Sequence, residues 1–349
     1  MRKSIAISAI VALAFAVVII AGTFLKIAHA AGSSGYHLVK TVPVSGEGGW
    51  DYLTLDSDTR RLYISHSTHV SVMDADTYAI VGDIPDTQGV HGIALAPELG
   101  RGFTSNGRAN TVTIFDLKTL KTLGTATTGD GPDAIVYDST SRRVFTLNGR
   151  AGTATAVDAA MGGTRGIPGL TIDLGGKPEF AVADGEGHIY NNLEDKSIVL
   201  QIDSRSRVIL NRWPLAPCES PSGMAIDTQH RRLFVGCHNQ LMAIMDADSG
   251  KVVATVPIGE GVDANSFDPA TQLAFASNGD GTLTVVHEDS PDKYSVVENV
   301  TTKRSARTMA LDLKTHNIFL AAADFDPPAP GQQRPSMKPG TFVILVFGK

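Results

Sequence analysis

The chain has 349 residues, of which 42% are hydrophobic and 19% charged, the balance of a folded globular protein. Its formal net charge of −6 makes it a poor electrostatic partner for a polyphosphate chain and argues against nucleic-acid binding. Thirty-five glycines, few aromatic residues and no long helical periodicity favour short strands joined by tight turns.

The first thirty residues read as a targeting segment. Arg2 and Lys3 precede a nearly continuous apolar run from Ile5 to Leu25, and Ala28, His29 and Ala30 supply a small-x-small cleavage pattern. Residues 1–30 are therefore expected to be a signal peptide or an uncleaved anchor, which would be the chain's one membrane contact. Residues 31–349 are expected to form one domain outside the cytoplasm, periplasmic or secreted. Residues 1–30 hold three basic and no acidic residues, so the remainder carries −9 rather than −6. In an oxidising compartment, Cys218 and Cys237 are expected to form a disulfide.

From Gly49 onward a unit recurs seven times: a turn, a short apolar strand ending near Asp, a polar turn often holding Arg, and a second strand opened by an aromatic residue. The markers closing the first strand are Asp56, Ala96, Asp138, Asp184, Asp227, Asp268 and Asp312, with a mean spacing of about 43 residues, inside the propeller range. A third strand such as 70–74, 111–116 or 241–246 and a fourth such as 251–258 complete each unit. Four alternating strands make one blade, and no blade buries both faces alone, so neighbours must stack. The predicted fold is all-β, a seven-bladed β-propeller.

The seventh unit lacks its fourth strand. A match for it stands at the other end of the chain, where 38–44 parallels 252–258. The N-terminal strand is thus predicted to close the last blade, a 3+1 closure that removes an exposed sheet edge. Residues 324–340 insert a Pro-rich loop into the last blade, expected to arch over one face or to serve as a spacer.

An aromatic residue, two small or β-branched residues and Asn recur at 103–106, 145–148 and 275–278, and 63–66 ends in His instead. Tyr190, Phe234 and Phe319 keep the aromatic in the remaining blades without the Asn. These residues resemble the YVTN-type, YncE-like propeller repeat family across residues 36–349. The resemblance implies an exported bacterial protein. It leaves the activity open, because rings of this type carry lactonases, a lyase, quinoprotein dehydrogenase subunits and a DNA-binding member.

Propeller sites form where loops ring the mouth of the central channel. The first repeated position expected there is the start of each innermost strand: Asp51, His91, Asp133, Glu179, Ser222, Asp263 and Arg307. The second is the end of the next strand, which adds His66, Asn106, Asn148, Asn278 and, one place on, His238. His66, His91, Asp133 and Asp263 are candidate ligands of a divalent metal, since imidazole and carboxylate suit such an ion, and Glu179 is the candidate base. No metal-binding spacing, nucleophile elbow, phosphate loop or haem-attachment motif occurs. Trp50 and Trp213 read as packing residues. The pairs Arg60–Arg61, Arg142–Arg143 and Arg231–Arg232 would lie on the opposite face, each turn Arg pairing with a neighbouring blade's marker Asp. The leading expectation is a non-catalytic binding or interaction propeller for a small molecule or protein. The alternatives are a metal-assisted hydrolase or lyase acting on a lactone-like ring, and DNA binding.

Overall fold

The computed structural model describes residues 33–46, 48–160, 167–168, 170–327 and 335–349. The expected signal peptide or anchor lies outside them. Seven antiparallel sheets follow one another, and their innermost strands are Trp50–Asp56, Val90–Ala96, Pro132–Asp138, Pro178–Ala183, Pro221–Asp227, Val262–Asp268 and Thr308–Leu311. Six sheets have four strands. Blade two gains a fifth because Ile167–Pro168 adds in parallel beside Thr122–Thr127. The fold is the predicted seven-bladed propeller.

Closure is also as predicted. His37–Pro43 pairs antiparallel with Val343–Gly348 as the outer strand of blade seven, so both ends of the described ring lie in one sheet. The core is seven clusters wedged mainly between adjacent blades, each built on strand residues of alternating burial; Phe103, Phe145, Phe234, Phe275 and Phe319 of the repeat motif are all buried.

The lower turn of each blade explains the marker acids. Asp56, Asp184, Asp268 and Asp312 each accept backbone N–H bonds from residues two to four places on, which is the Asx-turn geometry. The turn then passes through a left-handed residue: Arg60, Arg142, Arg231, Gln272 and His316 have φ between 53° and 61°. Blade two has Ala96 at the marker and reaches the same geometry through a 3-10 turn, Pro97–Leu99, capped by left-handed Gly100.

These turn residues join the blades. Arg60 Nη1 lies 2.6 Å from Asp312 Oδ2 of blade seven, Arg231 Nη1 3.0 Å from Asp184 Oδ2 of blade four, and His316 Nδ1 2.7 Å from Asp268 Oδ2 of blade six. The following residue reaches the other way. Arg61 donates to the Leu117 carbonyl, Arg101 to Ala159 at 2.8 Å, Arg143 to Ser204 at 3.1 Å, and Arg232 to Pro291 at 2.7 Å. Each of these side chains thus faces a neighbouring blade.

Candidate functional site at the channel mouth

A local irregularity builds the upper mouth. In six blades the pairing between the innermost and second strands slips just after the first residue, as between Trp50 and Leu53, Val90 and Ile93, Pro132 and Ile135, and Pro178 and Ala181. A bulge frees the residues inside it from the ladder and re-aims their side chains. Asp51, His91, Asp133, Glu179, Ser222 and Asp263 all occupy this position, which is why they converge from separate blades.

Three of them form a tight group: His91 Nδ1 is hydrogen-bonded to Asp51 Oδ2 and lies 3.5 Å from Asp133 Oδ1. One donor atom from each residue falls within 4.8 Å of the others, and all three side chains are partly open. Across the mouth, Arg307 Nη1 lies 2.8 Å from Asp263 Oδ2, and Ser222 Oγ donates to Asp263 Oδ1 at 3.2 Å. Lys177 holds Glu179 at 3.0 Å and also contacts Glu194. His238 stands further out, with Nε2 3.8 Å from Glu194.

Four carboxylates therefore share one mouth with one imidazole, Arg307 and Lys177. Burial and then the charge of Asp51 push the Asp133 carboxyl up to about 6. Burial and then Asp133 push Glu179 up to about 7, and burial raises Asp263 in spite of Arg307. Burial pulls the His91 imidazolium down, yet Asp51 and Asp133 outweigh it, and the net direction is upward. All four shifts keep protons at the mouth, chiefly because carboxyls are buried there and then because they stand beside one another.

The channel is crossed by two aromatic side chains. Tyr52, next to Asp51 in the bulge of blade one, stacks on Phe180 of blade four with ring centroids 5.4 Å apart. Other blades carry Gly92, Ala134, Gly223 and Ala264 at this position, which leaves room for the two rings to meet. Burial, with Asp133 next, raises the Tyr52 phenol well above its usual value. On the lower side of the ring, blades seven, one, two and three border a cleft of about 600 Å³ lined by Leu55, Leu95, Val136, Tyr137 and Leu313.

The insertion of blade seven borders the mouth. Phe325 bridges to Met337, and Lys338 donates its backbone N–H to Asp324, so the base of the loop is a short ladder. Trp50 stacks on Phe342 at 4.9 Å and approaches Phe325 at 6.0 Å, a packing role. Between loop and mouth lies a cleft of about 580 Å³ lined by Trp50, Arg304, Arg307, Phe325 and Met337.

The second repeated position does not reach the mouth. His66 is buried beneath the turn at Gly46 and Gly48, with Nε2 3.2 Å from the Gly48 carbonyl oxygen and its ring against Phe342. Burial lowers its imidazolium, and His66 is not part of the Asp51–His91–Asp133 group. Asp263, the other expected ligand, is taken by Arg307. Asn106, Asn148 and Asn278 are buried too: Asn106 Nδ2 donates to Thr111 and Thr113, Asn148 Nδ2 to Thr153 and Thr155, and Asn278 Nδ2 to Thr282 and Thr284. The repeated Thr-x-Thr after each Asn carried that signal in the sequence. Tyr52 and Phe180 were missed as site residues because they meet from opposite sides of the ring; Lys177 was missed too, although its partners Glu179 and Glu194 lie in its own blade.

Cys218 and Cys237 are disulfide-bonded in blade five, with Cα atoms 5.8 Å apart and both side chains buried.

No family model and no curated protein matches the sequence. Among solved structures, the chain is similar to one titled "Structure of U3-55K", at a TM-score of 0.73 and 8% identity, covering 90% of this chain and 99% of that one. It is similar to a second, "Crystal structure of RRP9 WD40 repeats", at 0.73 and 8% identity, covering 91% and 98%. At this identity the likeness establishes the propeller scaffold and nothing finer.

Proposed function

We propose that this chain is an exported, YVTN-type binding propeller whose upper channel mouth takes a small ligand through a divalent cation held by Asp51, His91 and Asp133. One observation carries the reading: two carboxylates and one imidazole from three successive blades place a donor atom each within 4.8 Å, still open to solvent. That donor set suits a transition or borderline divalent ion. Tyr52 and Phe180 form a floor, so the mouth is a cup, and Arg307 at its edge offers a cation to an anionic ligand. The apolar leader sequence and the Cys218–Cys237 bridge support export.

The test is a thermal-shift series with Zn²⁺, Mn²⁺ and Ca²⁺, alone and with small lactones and carboxylic acids, on the protein and on a His91→Ala/Asp133→Ala variant. A ligand at ~100 times its Kd adds about 2.7 kcal/mol, a rise of a few degrees. The parent is expected to rise further than the variant by that amount, since the variant lacks the mouth's donor set. An equal rise in both, or none in either, overturns the reading.

Glu179 favours a second reading. A carboxyl raised to about 7 beside a candidate metal is poised as a general base for opening a lactone-like ring. Lactone turnover abolished by chelation and by Glu179→Ala would establish the hydrolase over the binding protein.

A further inference from the structure

A second group of metal-type donors lies on the opposite face, between blades five and six. Asp227 and His230 come from the lower turn of blade five, and Glu288 from the third strand of blade six. His230 Nδ1 is 2.7 Å from Asp227 Oδ2 and 3.2 Å from Glu288 Oε1. The three donor atoms fall within 4.8 Å of one another.

Comparison between blades shows how unusual Glu288 is. Its backbone N–H donates to the carbonyl of the left-handed turn residue Gln272. The same bond is made by Ala75 to Arg60, Leu117 to Gly100, Ala159 to Arg142, Ser204 to Gly187 and Ala247 to Arg231. The position is thus equivalent in six blades and elsewhere holds Ala, Leu or Ser. Only blade six places an acid in this pocket, where Glu288 is 1% exposed. Its neighbour Asp227 is 3% exposed. Blade six also has Gln272 where Arg60 and Arg231 supply a guanidinium, and His316 an imidazole, to the preceding blade's marker acid. Asp227 therefore receives no Arg from that turn, and a second carboxylate is buried against it.

Glu288 Oε2 is buried without a hydrogen-bond partner. An ionised acid enclosed in this way carries a large desolvation cost unless a cation meets it. His230 alone is shared between two carboxylates. It remains partly exposed and offers a route from solvent.

We infer that Asp227, His230 and Glu288 form a divalent transition-metal site of the Zn²⁺ or Mn²⁺ class that clamps blade five to blade six. One imidazole nitrogen with two carboxylate oxygens selects these ions over Ca²⁺, which takes six to eight oxygen ligands. The site is separate from the channel mouth and does not depend on the function proposed for it.

The test uses the metal-stripped full chain carrying His91→Ala/Asp133→Ala, which removes the mouth's donor set. Isothermal titration with Zn²⁺ is expected to show one bound equivalent, accompanied by a rise of several degrees in Tm. Adding Glu288→Ala is expected to abolish both. That substitution installs the residue that blades one, three and five already carry, so the metal-free variant is expected to melt no lower than its parent. Ca²⁺ is expected to bind at least tenfold more weakly than Zn²⁺. No Zn²⁺ binding by the parent, or unchanged stoichiometry and affinity after Glu288→Ala, overturns the assignment and leaves a histidine bridging two acids.

Discussion

The two faces of the ring use the same residue types for opposite ends. On the lower face, the buried markers Asp184 and Asp312 each meet an arginine from the next blade, and Asp268 meets a histidine. At the upper mouth, Asp51, Asp133, Glu179 and Asp263 outnumber the fixed cations beside them, and the carboxyls of Asp133, Glu179 and Asp263 are raised. Charge that is neutralised pairwise serves assembly, whereas charge left in excess serves binding. Glu288 breaks this division, since it is an unneutralised acid on the assembling face.

The largest effect that would break the comparison is expected from Arg60→Ala. Asp312 is fully buried, and removing its guanidinium leaves an uncompensated charge at the seam between blades one and seven, a loss of about 3 kcal/mol. Urea denaturation at pH 7 checks this. A loss under about 0.5 kcal/mol would mean that the turn's own N–H groups suffice. Next in size is Phe180→Ala. It removes the floor of the mouth and about 2 kcal/mol of partly buried aromatic contact with Tyr52. Quenching of intrinsic fluorescence by acrylamide should rise along with the fall in stability.

The smallest effect has the opposite sign. Asp133 titrates near 6 when folded and near 3.9 when unfolded, so the folded state holds the extra proton, and its contribution falls as pH rises from about 4 to about 6. Asp133→Asn is expected to stabilise the metal-free protein by about 1 kcal/mol at pH 7 and to change nothing near pH 4. The raised imidazolium of His91 acts in the same direction: its contribution is complete below the unfolded value of about 6.5 and is lost above the folded one. Asp312 runs the other way. Its depressed carboxyl, held down against burial by Thr315, the Lys314 N–H and Arg60, stabilises above about pH 4 and loses that contribution as pH falls further. Melting curves of the parent, Asp133→Asn and Arg60→Ala from about pH 2 to about pH 8 would therefore separate the two faces by the sign of their slopes.

Much of this was legible in the chain. The period of about 43 residues and the match between 38–44 and 252–258 specify blade number and closure, because stacking admits one way of burying both faces of each sheet. Two of the turn arginines, Arg60 and Arg231, were legible too, as partners of a neighbouring marker; the marker before Arg142 is Ala96, which offers no carboxylate. The mouth was legible as a set of positions but not as a set of partners. Asp51, His91 and Asp133 come from neighbouring blades about forty residues apart, and no local pattern says which bulged side chains meet. His66 shows the limit: it occupies the motif's Asn position, yet the turn at Gly46 and Gly48 seals it in. Glu288 was invisible because its meaning lies in what other blades place there.

The pairing of His37–Pro43 with Val343–Gly348 also has a kinetic consequence. Strands some three hundred residues apart must meet before blade seven is whole, and a contact of that sequence separation carries a large loop-closure entropy. The final barrier to folding is thus expected to be the search of one short strand for a distant edge. A circular permutant joined at blade seven and opened between blades three and four would make that pairing local and move the slow step elsewhere.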